Sequence, residues 1–243
     1  MLMILLPPSE GKATGGDGPP WSVEDGRFGP DLAAGRTRVV NALKRAKGGT
    51  GRQLGAKGAL LTAAKAANLA AVGAPTLPAH HRFTGVVWGH LDPPGLPARA
   101  RRRAEDGVLV LSALTGITAW ADPVPDFRLK LSASVPPVGN LAAFWRPVLS
   151  PLLNDHLAGH TVVDLLPKEH RAAWVPAPDR YDLRRPELVT ADGRPAGHGG
   201  KAAKGLLARA LLTSGDVDAT LTSFDPAAQG LAGGDGLVLA RGG

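Results

Sequence analysis

The 243-residue chain has no cysteine, which excludes disulfides, thiolate nucleophiles and cysteine-held metals. That composition suits a reducing compartment, and a cytoplasmic location is expected. No apolar run approaches the roughly 20 residues that a bilayer-spanning helix needs, so no membrane partner is expected. The opening MLMILLPP lacks a basic leader and a small-residue cleavage site, and reads as a first buried strand rather than a secretion signal. Also missing are the Walker phosphate loop, the dinucleotide fingerprint and any Ser/His/Asp motif. His80 and His81 are adjacent and point apart on regular structure, and His90 stands at no recognisable zinc spacing. Neither a metal nor a cofactor is expected. There is no internal repeat and no heptad.

What is present is apolar mass and positive charge. Hydrophobic residues make up 44% of the chain, enough for a substantial core. The formal net charge is +7, and the pI is near 10.1. Such a balance favours an anionic partner, either nucleic acid or a phosphate-bearing or heterocyclic small molecule. The competing explanation is an Ala-, Gly-, Pro- and Arg-rich composition in which arginine carries no message.

Several stretches place the charge. After the first strand, Pro7 to Trp21 is a Gly-rich loop whose Ser9, Glu10 and Lys12 could cradle a phosphate. Residues 31–47 read as an amphipathic helix capped by Asp31, and Ala59–Ala71 as a helix of small residues made for close packing. Arg99, Arg101, Arg102 and Arg103 are expected at a helix C-terminus, where cations oppose the dipole. Val108–Leu111 reads as a buried strand running into the loop SALTGITAWADPVPDFRLKL, where Asp122 and Arg128 stand among glycine and proline. Gly139–Leu157 is expected to be a helix interrupted by Pro147 and Pro151, and Val162–Leu166 a strand. Residues 176–195 read as a hairpin or long loop, and the tail as two short strands. Between them, Gly199-Gly200 opens a helix with Lys201 and Lys204 three residues apart on one face near its positive end.

Four blocks resemble the YaaA family of bacterial peroxide-stress proteins, in an actinobacterial-type, divergent form. Leu5 to Lys12 repeats the opening L-L-P-P-S-E-G-K. Phe83, Gly85, Trp88 and Leu91 follow a second motif, with Trp88 in place of tyrosine. Ser112, Leu114, Gly116, Asp122, Arg128 and Leu129 follow the central motif, where Ala119-Trp120 replaces Arg-Pro and Phe127 replaces tyrosine. His198, Lys201, Lys204, Gly205 and Arg209 follow the last. A further turn that commonly carries serine and tyrosine in the family has Pro167 and His170. The resemblance implies one α+β domain over 1–243, a mixed β-sheet flanked by helices, and a basic cleft. It further implies a role in peroxide resistance and iron control, and DNA binding.

Two functions and a bland alternative follow. As a nucleic-acid-binding stress protein, the chain would contact phosphates through Ser9, Lys12, Arg128, Lys201, Lys204 and Arg209. As an enzyme on a nucleobase, nucleoside or nucleotide-like molecule, it would use Glu10, Asp122 and His198 as acid or base, with Trp120 stacking on a flat ligand. In the bland reading the motifs specify only the fold. The oligomeric state stays open.

Overall fold

The computed structural model describes residues 1–190, 197–231 and 237–240. Leu2–Leu6 is the middle of a five-stranded sheet ordered Asp182–Arg184, Thr161–Asp164, Leu2–Leu6, Val108–Ser112, Gly116–Ala119. The first four strands run parallel, with Leu2 opposite Thr161 and Ile4 opposite Val108. Gly116–Ala119 returns antiparallel on Val108–Ser112. Met3 to Leu6 and Val108 to Leu111 are buried throughout, because a parallel strand covered on both faces needs apolar residues at every position rather than at alternate ones. With its flanking helices this is the expected α+β architecture built on a mixed sheet.

Two groups of helices flank the sheet. Gly29–Arg45 packs on Gly58–Ala70 and Leu141–His156, while Gly197–Ser214 packs on Val86–Leu91 and Ala98–Gly107. One buried apolar cluster reaches from Met3 to Leu212.

Local details depart from expectation in instructive ways. Asp31 lies inside the first turn of Gly29–Arg45, whose N-cap is Phe28 and carries no side-chain cap bond; Pro30 starts the helix instead. Leu141–His156 runs on through Pro147 and Pro151. Its apolar face, Leu141, Trp145, Leu149 and Leu153, recurs every four residues and is buried, so packing outweighs the missing backbone bonds. The arginine cluster lies in the first turns of Ala98–Gly107, not at its C-terminus. The dipole argument applies to a neighbour: Arg103 donates to the carbonyls of Leu212 and Thr213, at the end of Gly197–Ser214. The stretch 176–195, read as a hairpin or long loop, instead contributes to two sheets: Asp182–Arg184 joins the central sheet and Glu187–Thr190 pairs with Leu237–Ala240, while residues 191–195 lie outside the described residues. Among the described residues the tail, expected as two short strands, supplies that one strand and a helix, Val217–Ser223, capped by Asp216.

The seam between Val86–Leu91 and Gly197–Ser214 is set by Gly205. A β-carbon there would lie 2.2 Å from the Val87 carbonyl oxygen and 2.8 Å from the His90 β-carbon. Only glycine permits that approach. Gly205→Ala is therefore expected to lower unfolding free energy by about 1–3 kcal/mol, as overpacking does. Gly89→Ala, on the facing helix with nothing within 4 Å of the added carbon, is expected to be neutral or stabilising by up to about 1 kcal/mol. Urea unfolding of both variants checks the contrast; equal losses would mean the seam is not close-packed.

Candidate functional site

The strand order creates a place for a ligand. The chain leaving Leu2–Leu6 leads toward Val108–Ser112, whereas the chain leaving Thr161–Asp164 leads to Asp182–Arg184 on the other side. Adjacent parallel strands whose exits diverge open a crevice at their carboxyl ends, the switch point where α/β sheets hold ligands. A cleft of about 540 Å³ lies there. It is lined by the loop Pro7 to Lys12 after the first strand, by Pro167, Glu169 and His170 after the second, by Arg128 to Ser132, and by the start of Gly197–Ser214.

The first loop is held from several sides. The Ser9 hydroxyl accepts the Thr84 N–H at 3.0 Å and donates to the Gly11 carbonyl. Gly85 makes this possible, since a β-carbon there would come within 2.7 Å of that of Ser9. Trp88 donates its indole N–H to the Pro7 carbonyl at 3.1 Å. Arg82, wholly buried, donates to the carbonyls of Ala13, Gly15, Pro75 and Val124 and so fixes the following turn.

Lys12 is partly exposed along its length, but its nitrogen is packed among protein groups. It donates to the Ser9 carbonyl at 2.9 Å and lies 4.2 Å from the centre of the Phe127 ring and 5.7 Å from that of Phe83. Burial pulls its pKa down to about 7; Arg128 and Arg82 act in the same sense, while Asp126 and Glu10 oppose it.

Arg128 joins two walls. Its Nε donates to the Leu54 carbonyl at 2.9 Å, its Nη1 to the Glu10 carbonyl at 3.1 Å, and its Nη2 to the Glu10 carboxylate at 2.9 Å and the Gly55 carbonyl at 3.4 Å. Its backbone is fixed by buried Asn68, which accepts the Arg128 N–H and donates to the Arg128 carbonyl. Lys130 stands 4.0 Å from the other Glu10 oxygen.

The opposite wall rests on Asp164, wholly buried at the end of its strand. It accepts from the Leu166 N–H, from Arg171 Nε and from Arg185 Nε, each at 2.9 to 3.0 Å. Lys204 donates to the Leu165 carbonyl at 2.9 Å, and burial followed by Arg171 lowers its pKa. Lys201, exposed in the first turns of the same helix, also lines the cleft. Buried His170 has an Nδ1 with no hydrogen-bond partner. Burial, and then Lys204, push its pKa down to about 4, so at neutral pH it is an uncharged imidazole.

The fold thus brings Ser9, Glu10, Lys12, Arg128, Lys201 and Lys204 to one cleft. Other candidates stand elsewhere. Asp122 accepts the Ala119 and Arg27 N–H groups and closes a turn. Arg209 donates to the carbonyls of Leu91, Asp92 and Gly95, stapling a helix end. Trp120 is fully buried, stacked on His80 at 4.7 Å; with no face on the cleft, it has none to offer a flat ligand. The side chain of His198 lies outside the described residues. Residues that sequence reasoning left aside are Asn68, Lys130, Glu169 and His170. Only His170 carried a signal, its place in a turn where the family commonly has other polar groups. Among the described residues no three His, Asp or Glu groups could hold a metal ion, and no helix is long and apolar enough to cross a membrane.

Comparison with known proteins agrees with the motif blocks. The family model described as Peroxide stress protein YaaA matches residues 1–226. A UPF0246 protein of Streptomyces coelicolor is 33% identical over 226 residues, covering 88% of this chain and 84% of the relative. One from Corynebacterium glutamicum is 30% identical over 219 residues, covering 88% and 86%. One from Methylibium petroleiphilum is 34% identical over 112 residues, covering 44% and 42%.

The buried imidazole has a consequence for stability. Its folded pKa of about 4 lies below the ordinary 6.5, so between those values the unfolded chain binds a proton that the folded chain refuses. Stability is expected to fall as pH drops from 6.5 towards 4. His170→Gln should flatten that part of the profile, as read by urea unfolding at stepped pH. An unchanged slope would mean that His170 titrates normally.

Proposed function

The chain belongs to the YaaA peroxide stress family, and from that premise we propose that its cleft binds the phosphates of a nucleic-acid strand in the cytoplasm. The observation that carries the reading is convergence. Lys12, Arg128, Lys201 and Lys204 come from three distant parts of the sequence and face one space. Three of them also hold backbone carbonyls, Lys201 stands exposed, and all four line the same cleft. The start of a long helix adds its dipole to Lys201 and Lys204, an arrangement that favours anions. In this reading Arg128 supplies a planar fork of donors, and Lys201 and Lys204 supply point charges. Arg209, Asp122 and Trp120 act through the fold rather than on the ligand.

A second reading has its own support. A volume of about 540 Å³ falls within the range of small-molecule sites, roughly 300–1,000 Å³, and is far too small for a duplex. The cleft therefore fits one nucleotide of an unpaired strand, or a free nucleotide-like molecule on which the neutral His170 would act as acid or base.

Salt separates the two. Strand binding releases counterions, so affinity should fall steeply with ionic strength, and Lys201→Ala should reduce the slope of log K against log salt by about one. Arg128→Ala should weaken binding about tenfold or more, the cost of a charge-assisted hydrogen bond, while Glu10→Gln should strengthen it by freeing the guanidinium. Fluorescence anisotropy with a labelled single strand, a duplex and a nucleoside monophosphate measures all three. Wild-type affinity in both the Arg128 and Lys201 variants would remove the cleft as the binding site.

A further inference from the structure

Lys12 and Lys204 each donate to a backbone carbonyl and have pKa values lowered by burial, but Lys12 also rests against aromatic rings. Arg128 has the Glu10 carboxylate beside it and Lys201 stands in solvent. The Lys12 nitrogen instead contacts a carbonyl oxygen and two aromatic faces, with no carboxylate within ion-pair distance among the described residues. Aromatic rings and a tight loop keep water from solvating an ammonium ion there, which disfavours the charged form. A lysine that lines a cleft and whose amine is easily deprotonated and held in place can act as a nucleophile.

We propose that Lys12 forms an imine with an aldehyde carried next to a phosphate, the phosphate being held by Arg128 and Lys201. This rests on the phosphate-binding reading above and names a reaction for the same site. The step balances without an oxidant or reductant. The Nζ lone pair attacks the carbonyl carbon, the carbon–nitrogen bond forms, and the carbonyl oxygen leaves as water with the two hydrogens of the amine. The Ser9 carbonyl takes one N–H of the free amine at 2.9 Å and so orients the nitrogen before attack. Burial brings the Lys12 pKa down to about 7, against about 10.4 for an ordinary lysine, so far more of the amine is free of its proton at neutral pH.

Two sources share this chemistry. One is the ring-opened sugar at a baseless position of a nucleic-acid strand, whose aldehyde sits between phosphates. The other is a free phosphorylated aldehyde. The test is borohydride trapping at pH 7, which reduces an imine to a stable secondary amine, followed by peptide mass mapping. The probes are a single strand with one abasic site, glyceraldehyde 3-phosphate, and uncharged propanal, each run on the full chain and on Lys12→Arg. The expected result is an adduct on Lys12 about tenfold or more above any other lysine, competed by inorganic phosphate and absent from the variant. An adduct only with the strand assigns the nucleic-acid source, and one only with glyceraldehyde 3-phosphate assigns the small molecule.

Labels spread over exposed lysines such as Lys44 and Lys57, or no adduct at all, would overturn the proposal. Intact-strand binding measured in parallel keeps the two claims apart. Binding without a Lys12 adduct sinks the imine and spares phosphate recognition. A Lys12 adduct formed as readily from propanal sinks the role given to phosphate and spares the reactive amine. Because mapping is done on the unaltered chain, a variant that fails to fold does not affect the outcome.

Discussion

Carbonyl oxygens in irregular backbone need donors, and this fold supplies them with buried guanidinium groups. The loops rich in glycine and proline cannot satisfy one another through a ladder, yet they pack into the core. Arg82 serves four such carbonyls, and Arg36, also buried, serves those of Thr115, Val23, Asp25 and Ile117. A guanidinium has five donors in one plane and keeps its charge, so a single side chain can join several strands of loop. Burying that charge is costly, and the cost is offset only because nearly every donor is used. The loop after the first strand owes its shape to this arrangement.

The positive balance of the sequence therefore has two origins. Part of it holds backbone: Arg36, Arg82, Arg103 and Arg209 each end on carbonyl groups. Part of it lines the cleft. Arg128 belongs to both, since the same side chain satisfies Leu54 and Gly55 and faces the ligand space. Sequence alone does not separate these uses, because an arginine in a Gly/Pro-rich stretch looks the same in either. That is why Arg209 reads like Lys204 on paper although the two side chains end in different places. Asp122 reads like an acid for the same reason: its partners include the N–H of Arg27, 95 positions away.

Regular elements were far more legible. The apolar runs at Leu2–Leu6 and Val108–Ser112 carry their own explanation, and glycine followed by lysines announced the helix from Gly197. Prediction failed where a local signal met a stronger distant one. Two prolines announce a break in Leu141–His156, but a buried stripe containing Trp145 holds the helix together, its indole bonded to the Ala113 carbonyl. The burial of Trp120 was equally hidden. A tryptophan beside a functional motif suggests stacking, yet its stacking partner is His80, forty positions earlier in the chain. Asn68 gave no signal in a helix of small residues, although it fixes the backbone of Arg128.

The arrangement around Arg128 shows how such a cleft could exchange one anion for another without rearranging. The arginine side chain is 16% exposed, and its Glu10 partner 66%. An exposed carboxylate rehydrates easily, so an ion pair with it contributes little, on the order of 0–1 kcal/mol. The Nε and Nη contacts to Leu54 and Gly55 do not involve Glu10, and Asn68 fixes the backbone independently. Displacing the carboxylate therefore leaves the guanidinium in place and oriented. A phosphate arriving at Nη2 would meet a donor already aimed, with the ordering cost met during folding rather than on binding. On the proposed function Glu10 would be a placeholder anion, offsetting the charge of Arg128 until a phosphate displaces it. The same logic sets Lys12 apart, since its nitrogen rests on aromatic faces with no carboxylate to displace, and its chemistry depends on losing a proton rather than on trading a partner.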